Sequence, residues 1–223
     1  MCRNVIFDFD GVVVDSNEIR IDGFRTLYAA KAGDKIEIFM DYVRSNHGLS
    51  RYRKIRHFYA SVQRQQVTEE AIQDDAERYS NIVAEAVANA PEIPGAAAFL
   101  AAFASRFRFA LISSSDQREL RAICRRRGID RHFEAILGSP EEKAVNIRNL
   151  LRDKEWQREV TVYVGDSLSD LEAARVAGVP FIGFGGANFP SPGREDVIID
   201  SFEQLPAILR RGADGIQELL TRA

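Results

Sequence analysis

The chain has few of the side chains that build disulfide frameworks and zinc sites. Among its 223 residues are two cysteines, Cys2 and Cys124, and three histidines. A disulfide framework needs more cysteines, and the spacing of these two matches no zinc-ligand pattern. We therefore expect reduced thiols and no zinc centre.

Long apolar runs and a strong net charge are also missing. No apolar run approaches the roughly 20 residues that a membrane-spanning helix needs, and the N-terminus leads into a predicted strand without a signal-peptide pattern. The formal net charge of −3 is small and suggests no nucleic-acid partner. We expect a cytoplasmic protein without membrane or nucleic-acid partners; monomer and homodimer both stay open. The length suits one large domain, or a medium domain with an insert.

The first strand ends at two carboxylates. Residues 5–7 form a short apolar run, Asp8 follows it directly, and Asp10 lies two residues further on. Such a run is typical of a strand buried on both faces of a parallel sheet. Ligands bind beyond the carboxyl ends of these strands, and Gly11 allows the backbone to turn there. The sequence thus predicts a ligand site at Asp8 and Asp10.

A polar turn or half of a calcium-binding loop is the alternative for Asp8-Phe9-Asp10-Gly11. A calcium loop of this form lies between helices and ends in a bidentate glutamate. Here a predicted buried strand precedes the motif and the apolar residues 12–14 follow it. This context disfavours the calcium interpretation.

The region after Ser16 has only helical patterns until about Asn89. Apolar residues recur at helical spacing, and Ser50 is a candidate N-cap of one helix. Two prolines and a glycine interrupt the pattern within residues 90–95. We predict a core domain of residues 1–15 and 91–223, with a helical cap domain of residues 16–90 inserted into it.

Strands and helices alternate after the predicted insert. Strands are predicted at residues 109–112, 135–137, 160–164 and 181–184, with helices between them. This order indicates right-handed crossovers and a parallel sheet. The predicted fold is therefore α/β, a Rossmann-like parallel sheet with an inserted all-helical domain. One helix is expected from Pro140, and residues 183–193 are predicted to form a loop.

Further polar side chains follow the other strands or begin a helix. Carboxylates grouped at one sheet edge need a cation, because two unit charges about 4 Å apart repel by about 4 kcal/mol at an effective dielectric constant near 20. Magnesium suits a site that offers oxygen ligands without a histidine or cysteine set. The grouped residues are Asp8, Asp10, Ser113, Lys143, Asp166 and Asp170.

Four segments together resemble the signature of the haloacid dehalogenase-like phosphohydrolases. They are residues 7–16, residues 111–114, Lys143 and residues 164–170. Their order, and a helical insert directly after the first of them, resemble the subgroup that includes phosphoglycolate phosphatase and β-phosphoglucomutase. The resemblance extends over nearly the whole chain.

The resemblance implies a role for each matched carboxylate. Asp8 would be the nucleophile that becomes an aspartyl phosphate, and Asp10 would be the general acid and base. Mg²⁺ would be held by Asp8, by the backbone carbonyl of Asp10 and by Asp166, and Asp170 would support the metal site.

The resemblance also implies phosphate contacts. Ser113, Ser114 and Gly11 are the expected phosphate-binding residues, and Lys143 would offset negative charge on the phosphate and the nucleophile. Ser114 and Ser115 have the alternative of starting the next helix, where Asp116 and Glu119 resemble a capping box. Of the two serines, only Ser114 is predicted to be a site residue.

The loop of residues 48–51 resembles the cap loop that carries a phosphate-contacting arginine in β-phosphoglucomutase and its relatives. Arg51 is therefore a candidate substrate-binding residue, and Lys54 is a second one. The alternative is a solvated basic helix face, since Arg53 and Arg56 lie on the same short helix.

The pattern as a whole predicts a Mg²⁺-dependent phosphomonoester hydrolase for a small phosphorylated metabolite. A dehalogenase is disfavoured, because that branch does not keep an acid at the position of Asp10. The alternatives are a sugar phosphomutase of the β-phosphoglucomutase type and a catalytically silent binding module on the same fold.

Overall fold

The computed structural model describes residues 2–189 and 197–210. Within these ranges six parallel strands form one sheet in the order β3-β2-β1-β4-β5-β6. Parallel strands need crossovers, and α-helices lie in the connections between β1 and β2, β2 and β3, β3 and β4, and β4 and β5. The strands are β1 (Asn4–Phe7), β2 (Arg108–Asp116), β3 (Ala135–Ser139), β4 (Thr161–Gly165), β5 (Phe181–Phe184) and β6 (Val197–Ile199).

Strand β1 lies in the interior of the sheet between β2 and β4, and its residues 5–7 have no exposed surface. Phe7 is in register with Leu111 on one side and with Val164 on the other. The carboxyl ends of the three strands therefore lie side by side. The residues that follow them in sequence meet at one edge of the sheet, as the sequence predicted.

Helices are the main regular structure between β1 and β2. Helices α1 to α4 occupy the predicted insert, and α3 continues directly into a π-helical turn, Phe58–Gln63. Ser50 is the N-cap of α3, as predicted, because its hydroxyl accepts a hydrogen bond from the Arg53 amide. The helices are α1 (Asn17–Ala32), α2 (Ile36–Ser45), α3 (Arg51–His57) and α4 (Glu69–Asn89).

The two chain crossings between the sheet and the helical insert run next to each other. The Asp15 amide donates to the Pro91 carbonyl oxygen over 2.9 Å, and the Ile93 amide donates to Val13 over 3.1 Å. These bonds hold the start and the end of the insert together. The division at residues 15/16 and 90/91 into two domains stays a prediction.

Among the described residues, four more helices with complete bounds accompany the sheet, and residues 205–210 are also helical. Two predicted boundaries were wrong by three residues or more. Strand β2 extends past Ser113 to Asp116, because its pairing resumes after an irregularity with Asp116 opposite Ser139. Helix α7 begins at Lys143 rather than at Pro140. The helices are α5 (Ala96–Phe103), α6 (Gln117–Arg126), α7 (Lys143–Asp153) and α8 (Leu168–Ala177).

Part of the predicted loop of residues 183–193 is regular structure. Residues 183 and 184 belong to β5, and residues 186–188 form a short 3-10 helix. Residues 190–193 of that loop, and residues 190–196 and 211–223 of the predicted core domain, lie outside the described residues. Among the helices that are described, none is both long and apolar enough to cross a membrane.

Candidate active site

Asp8 lies directly beyond β1 and is 3% exposed. Its Oδ2 accepts a hydrogen bond from Lys143 Nζ over 3.0 Å. Its Oδ1 is buried and has no hydrogen-bond partner among the described residues. Burial and the nearby charge of Asp170 raise the pKa of Asp8 well above its ordinary value, although Lys143 opposes this shift. One oxygen of the carboxylate is thus positioned by a lysine, and the other is unpartnered.

Asp10 has hydrogen-bond donors on both carboxylate oxygens. Oδ1 accepts from Ser16 Oγ at 2.6 Å and from Arg20 Nε at 2.8 Å, and Oδ2 accepts from Ser115 Oγ at 2.7 Å. Burial alone would raise the pKa of Asp10. The Arg20 charge and these hydrogen bonds outweigh it and lower the pKa to about 2. Asp10 is therefore a carboxylate at neutral pH in this arrangement.

Asp8, Asp166 and Asp170 form a buried acidic triad. One carboxylate oxygen from each lies within 4.8 Å of the others. Burial and the charge of Asp170 raise the pKa of Asp166 to about 7. With all three ionised, the single ammonium of Lys143 leaves two negative charges uncompensated. A divalent cation fits this donor set, because the triad offers only oxygens and Asp8 Oδ1 has no other partner.

Asp170 is held by neighbouring donors. Its Oδ1 accepts from Lys143 Nζ over 2.5 Å and from the Tyr163 hydroxyl over 2.6 Å. Its Oδ2 accepts from the backbone amide and the hydroxyl of Ser167. Asp170 therefore positions Lys143 and the start of α8. Both of its carboxylate oxygens accept hydrogen bonds, so Asp170 has less capacity left to bind a cation than Asp8 has.

Three consecutive serines end β2 and have different contacts. The Ser113 hydroxyl lies 3.4 Å from Asp10 Oδ2 and accepts a hydrogen bond from the Ser115 amide. The Ser114 hydroxyl donates to the Gly48 carbonyl oxygen over 2.7 Å, across to the helical insert. Ser115, which was not predicted to belong to the site, contacts Asp10 directly.

Gly11 has a backbone that only glycine suits. Its φ angle is +77°, and an added Cβ would lie 2.0 Å from Asp166 Oδ2. Its amide donates to the Val14 carbonyl oxygen over 2.8 Å. In this structure Gly11 therefore allows the close approach of Asp166. Its amide was predicted to bind phosphate, but here that amide already donates to Val14.

The basic residues of α3 divide into buried and exposed ones. Arg51 and Lys54 are each 4% exposed, whereas Arg53 and Arg56 are exposed. The alternative of a solvated helix face therefore fails for Arg51 and Lys54. Arg51 Nη1 donates to Glu119 Oε2 over 2.8 Å, so that its charge is already paired.

Within residues 2–189 and 197–210, Lys54 has no carboxylate partner of this kind. Its Nζ donates to the His47 carbonyl oxygen over 2.7 Å and lies 5.4 Å from the centre of the Phe24 ring. Burial, with the positive charges of Lys143, Arg20 and Arg51, lowers the pKa of Lys54 to about 7. Arg51 and Lys54 are the two predicted substrate-binding residues. The positive charge of Arg51 is paired with a carboxylate, and that of Lys54 is less fully paired.

Several residues of the site were missed by the sequence analysis. Arg20 lies four residues after Ser16, so the two side chains lie on the same face at the start of α1. This spacing could have indicated that Arg20 belongs to the site. Glu119 was interpreted as part of a capping box. Asp116 does cap α6, but the Glu119 side chain instead binds Arg20 and Arg51. The missed residues are Asn17, Arg20, His47, Ser115 and Glu119.

Two missed residues lie next to Asp166. Asn17 Nδ2 donates to Asp166 Oδ2 over 2.6 Å. His47 Nε2 lies 4.0 Å from the same oxygen, and no residue that the structure describes forms a hydrogen bond with it. Both come from the helical insert, so the insert reaches the acidic triad.

A cavity of about 40 Å³ lies between the sheet edge and the helical insert. This volume holds a few water molecules, or a group about as large as phosphate. Asp8, Lys143 and Asp166 line it from the core, and Arg20, Arg51 and Lys54 line it from the insert. The unpartnered atoms Asp8 Oδ1, Arg20 Nη2 and His47 Nε2 all belong to residues of its wall.

The family model for haloacid dehalogenase-like hydrolases matches residues 5–184. The matched region contains every residue of the site described above. The chain belongs to the haloacid dehalogenase-like hydrolase family, which confirms the resemblance seen in the sequence. None of the curated protein sequences matches the chain.

Solved structures share the fold at low sequence identity. β-Phosphoglucomutase from Clostridium difficile is 18% identical, covers 100% of both chains and has a TM-score of 0.75. A variant of CbbY from Rhodobacter sphaeroides, in complex with xylulose-(1,5)bisphosphate, is 22% identical over 92% of this chain and 96% of that chain, with a TM-score of 0.73. A predicted phosphoglycolate phosphatase from Haemophilus somnus is 18% identical over 93% and 97%, with a TM-score of 0.70.

Proposed function

We propose that this hydrolase is a Mg²⁺-dependent phosphomonoesterase that acts on a small phosphorylated metabolite through an aspartyl-phosphate intermediate. The observation that supports it most is the state of Asp8. Lys143 holds Oδ2 at 3.0 Å, and Oδ1 is a buried acceptor without a partner in the wall of the cavity. A nucleophile needs such a free oxygen beside a phosphate-sized space.

Asp8 Oδ1 would attack phosphorus, and the bond to the leaving alcohol would break. Asp10 would give its proton to that alcohol and then accept a proton from the water that hydrolyses the aspartyl phosphate. The carboxylate seen here suits the second step. The first step requires a protonated Asp10, and therefore a looser contact between Asp10 and Arg20.

Asp8, Asp166 and the backbone carbonyl of Asp10 would hold Mg²⁺, with Asp170 supporting the site. When bound, the ion would neutralise the carboxylates and polarise the phosphoryl group. Its fit rests on the acidic triad, in which one carboxylate oxygen from each residue lies within 4.8 Å of the others.

Lys143 would offset charge on the transferring group while Asp170 keeps it in place, and the Ser113 hydroxyl and the Ser114 amide would donate to phosphoryl oxygens. Lys54 is buried beside the cavity and has no carboxylate partner in the described part of the chain, and it would contact the substrate. A small phosphorylated metabolite as substrate agrees with a closed site. In the present arrangement the cavity of about 40 Å³ has no room for a macromolecule.

Hydrolysis of p-nitrophenyl phosphate tests the proposal. We expect release of p-nitrophenol in Mg²⁺, none in EDTA, and none from the Asp8→Asn variant in Mg²⁺. Asp22→Asn, on the exposed face of α1, is the control and should keep wild-type activity. Activity of Asp8→Asn equal to that of the wild type would show that the nucleophile is another residue.

A phosphomutase is the second candidate, because β-phosphoglucomutase shares the fold over the whole chain. The two reactions differ in the acceptor of the phosphoryl group. Incubation with Mg²⁺ and glucose 1-phosphate should release inorganic phosphate if the proposal is right. Isomerised sugar phosphate without free phosphate would establish the mutase. Inactivity across a broad phosphate-ester panel would instead favour a silent binding module.

A further inference from the structure

Glu119 joins the two arginines that the helical insert contributes to the cavity wall. It lies on α6 of the core, is 9% exposed, and does not itself line the cavity. Its Oε1 accepts from Arg20 Nη1 on α1, and its Oε2 accepts from Arg51 Nη1 on α3 over 2.8 Å. One buried carboxylate thus pairs with two guanidinium groups from two different helices.

These pairs hold both arginines in place. Arg51 Nη1 also donates to Ser80 Oγ, and the guanidinium lies 4.7 Å from the centre of the Tyr79 ring. Arg20 uses Nε for Asp10. Both cations are therefore positioned, and largely neutralised, by carboxylates of the core before any ligand enters.

A ligand with a second phosphate would need cations for it, and Arg20 and Arg51 are two of those that this part of the wall has. The first phosphate would be bound at Asp8 and Lys143, so a second one would face the part of the wall formed by Arg20, Arg51 and Lys54. Glu119, directly behind the arginines, would compete for their hydrogen bonds and repel the added charge. A ligand with one phosphate and a neutral remainder would meet no such repulsion.

We propose that Glu119 is a positioning residue that, through Arg20 and Arg51, excludes substrates with a second phosphate. The proposal deepens the proposed function and rests on it for the position of the first phosphate. It makes the preferred substrate class a monophosphate of an otherwise uncharged small molecule. It also distinguishes the chain from a protein whose arginines are free to bind a bisphosphate.

The test compares fructose 6-phosphate with fructose 1,6-bisphosphate as competitive inhibitors of p-nitrophenyl phosphate hydrolysis in Mg²⁺. For the wild type we expect the bisphosphate to bind no more tightly than the monophosphate. Glu119→Gln keeps the shape of the side chain and removes its charge. In this variant the ratio of the inhibition constants of the two ligands should shift in favour of the bisphosphate by at least about tenfold. A change in this ratio reports on charge, since a purely structural defect would weaken both ligands alike.

Two variants control the test. Glu119→Asp keeps the charge and should keep the wild-type ratio. Glu85→Gln removes another carboxylate that bridges the insert and α6, because Glu85 Oε1 accepts from Arg126 Nη2 over 2.7 Å on the exposed surface. It should leave the ratio unchanged.

A Glu119→Gln ratio within twofold of the wild-type ratio would overturn the inference. A wild type that binds the bisphosphate tenfold more tightly than the monophosphate would also overturn it. This second result does not depend on whether any variant folds. If the wild type does not hydrolyse p-nitrophenyl phosphate, the proposed function fails. In that case the ratio of the dissociation constants of the two ligands, measured by calorimetry for the wild type and for Glu119→Gln, tests the role of Glu119.

Discussion

Arg20 Nε donates a hydrogen bond to Asp10 Oδ1 over 2.8 Å, and this contact joins the helical insert to the predicted acid/base residue. Arg20 lies on α1, four residues after Ser16, whose hydroxyl binds the same oxygen. The insert therefore has a direct influence on the protonation of Asp10. Any motion that separates Arg20 from Asp10 would raise the pKa of that carboxyl group.

Arg20→Met is expected to raise the pKa of Asp10 from about 2 toward its ordinary value of 3.8, since a charge and a hydrogen bond are lost. In the proposed mechanism, the activation of water requires ionised Asp10. The acidic limb of kcat against pH, measured with p-nitrophenyl phosphate in saturating Mg²⁺, should therefore move upward by about one unit or more.

Arg25→Met is the matched control for this profile. Arg25 is on the same helix, but its partner is Glu37 on the exposed surface. The control should keep the wild-type profile. An unmoved acidic limb in Arg20→Met would contradict the assigned influence of Arg20 on Asp10.

Mg²⁺ affinity should fall as the pH falls below about 7. Burial and the Asp170 charge raise the pKa of Asp166 to about 7, and Mg²⁺ must displace the proton that Asp166 then holds. We expect an apparent dissociation constant about tenfold higher at one pH unit below that pKa than well above it. Calorimetry in two buffers of different ionisation enthalpy should detect proton release near pH 7.

The Asp166→Asn variant should bind Mg²⁺ more weakly and should release no proton at that site. Equal affinities of the wild type on both sides of pH 7 would contradict the prediction. So would proton release by Asp166→Asn as large as that of the wild type.

Asp8→Asn is expected to stabilise the protein in EDTA at neutral pH. The pKa of Asp8 is raised in the folded state, so the folded chain holds the proton more tightly than the unfolded chain. Ionisation above pH 3.8 therefore costs the folded state free energy, a cost that asparagine does not have. Each kcal/mol regained should raise the melting temperature by about 2–4 °C for a chain of this size.

The gain should shrink near pH 4, where the carboxyl group of the wild type is protonated in the folded state. Mg²⁺ should raise the melting temperature of the wild type more than that of Asp8→Asn, because the variant lacks a ligand oxygen. A variant that melts below the wild type in EDTA at pH 7 would show that the hydrogen bond with Lys143 matters more than the burial of charge.

Gly48→Ala should separate the insert from the core at the cavity. An added Cβ would lie 2.2 Å from Ser169 Oγ and 2.8 Å from Ser167 Cβ, so the loop must move outward. That motion would break the bond between the Ser114 hydroxyl and the Gly48 carbonyl oxygen. We expect kcat/KM to fall by about tenfold or more, since closure and positioning are both affected.

Gly186→Ala is the comparison for that variant, because its Cβ would meet Asp200 at 3.4 Å. It should leave kcat/KM unchanged. Wild-type activity in Gly48→Ala would show that the hydrogen bond between Ser114 and the Gly48 carbonyl oxygen is not needed for catalysis.

The sequence by itself determined the fold and the place of the candidate site. The apolar run before Asp8 can be buried only as an interior strand, and parallel strands bring Asp8, Ser113 and Asp166 to one edge whatever the helices do. The helical periodicity after Ser16 likewise fixed the insert, because the pattern is local. The end of β2 is not set locally, because pairing with β3 at Asp116 and Ser139 determines it.

Only the tertiary structure decided which charges pair. Glu119 is 99 residues from Arg20 and 68 residues from Arg51, and no local pattern records contacts over such separations. The same holds for Arg51, which the sequence predicts to bind substrate and which the fold pairs with Glu119. Periodicity and motif spacing report local geometry, whereas the ionisation of Asp8, Asp10 and Asp166 depends on burial and on neighbours that only the packed chain brings together.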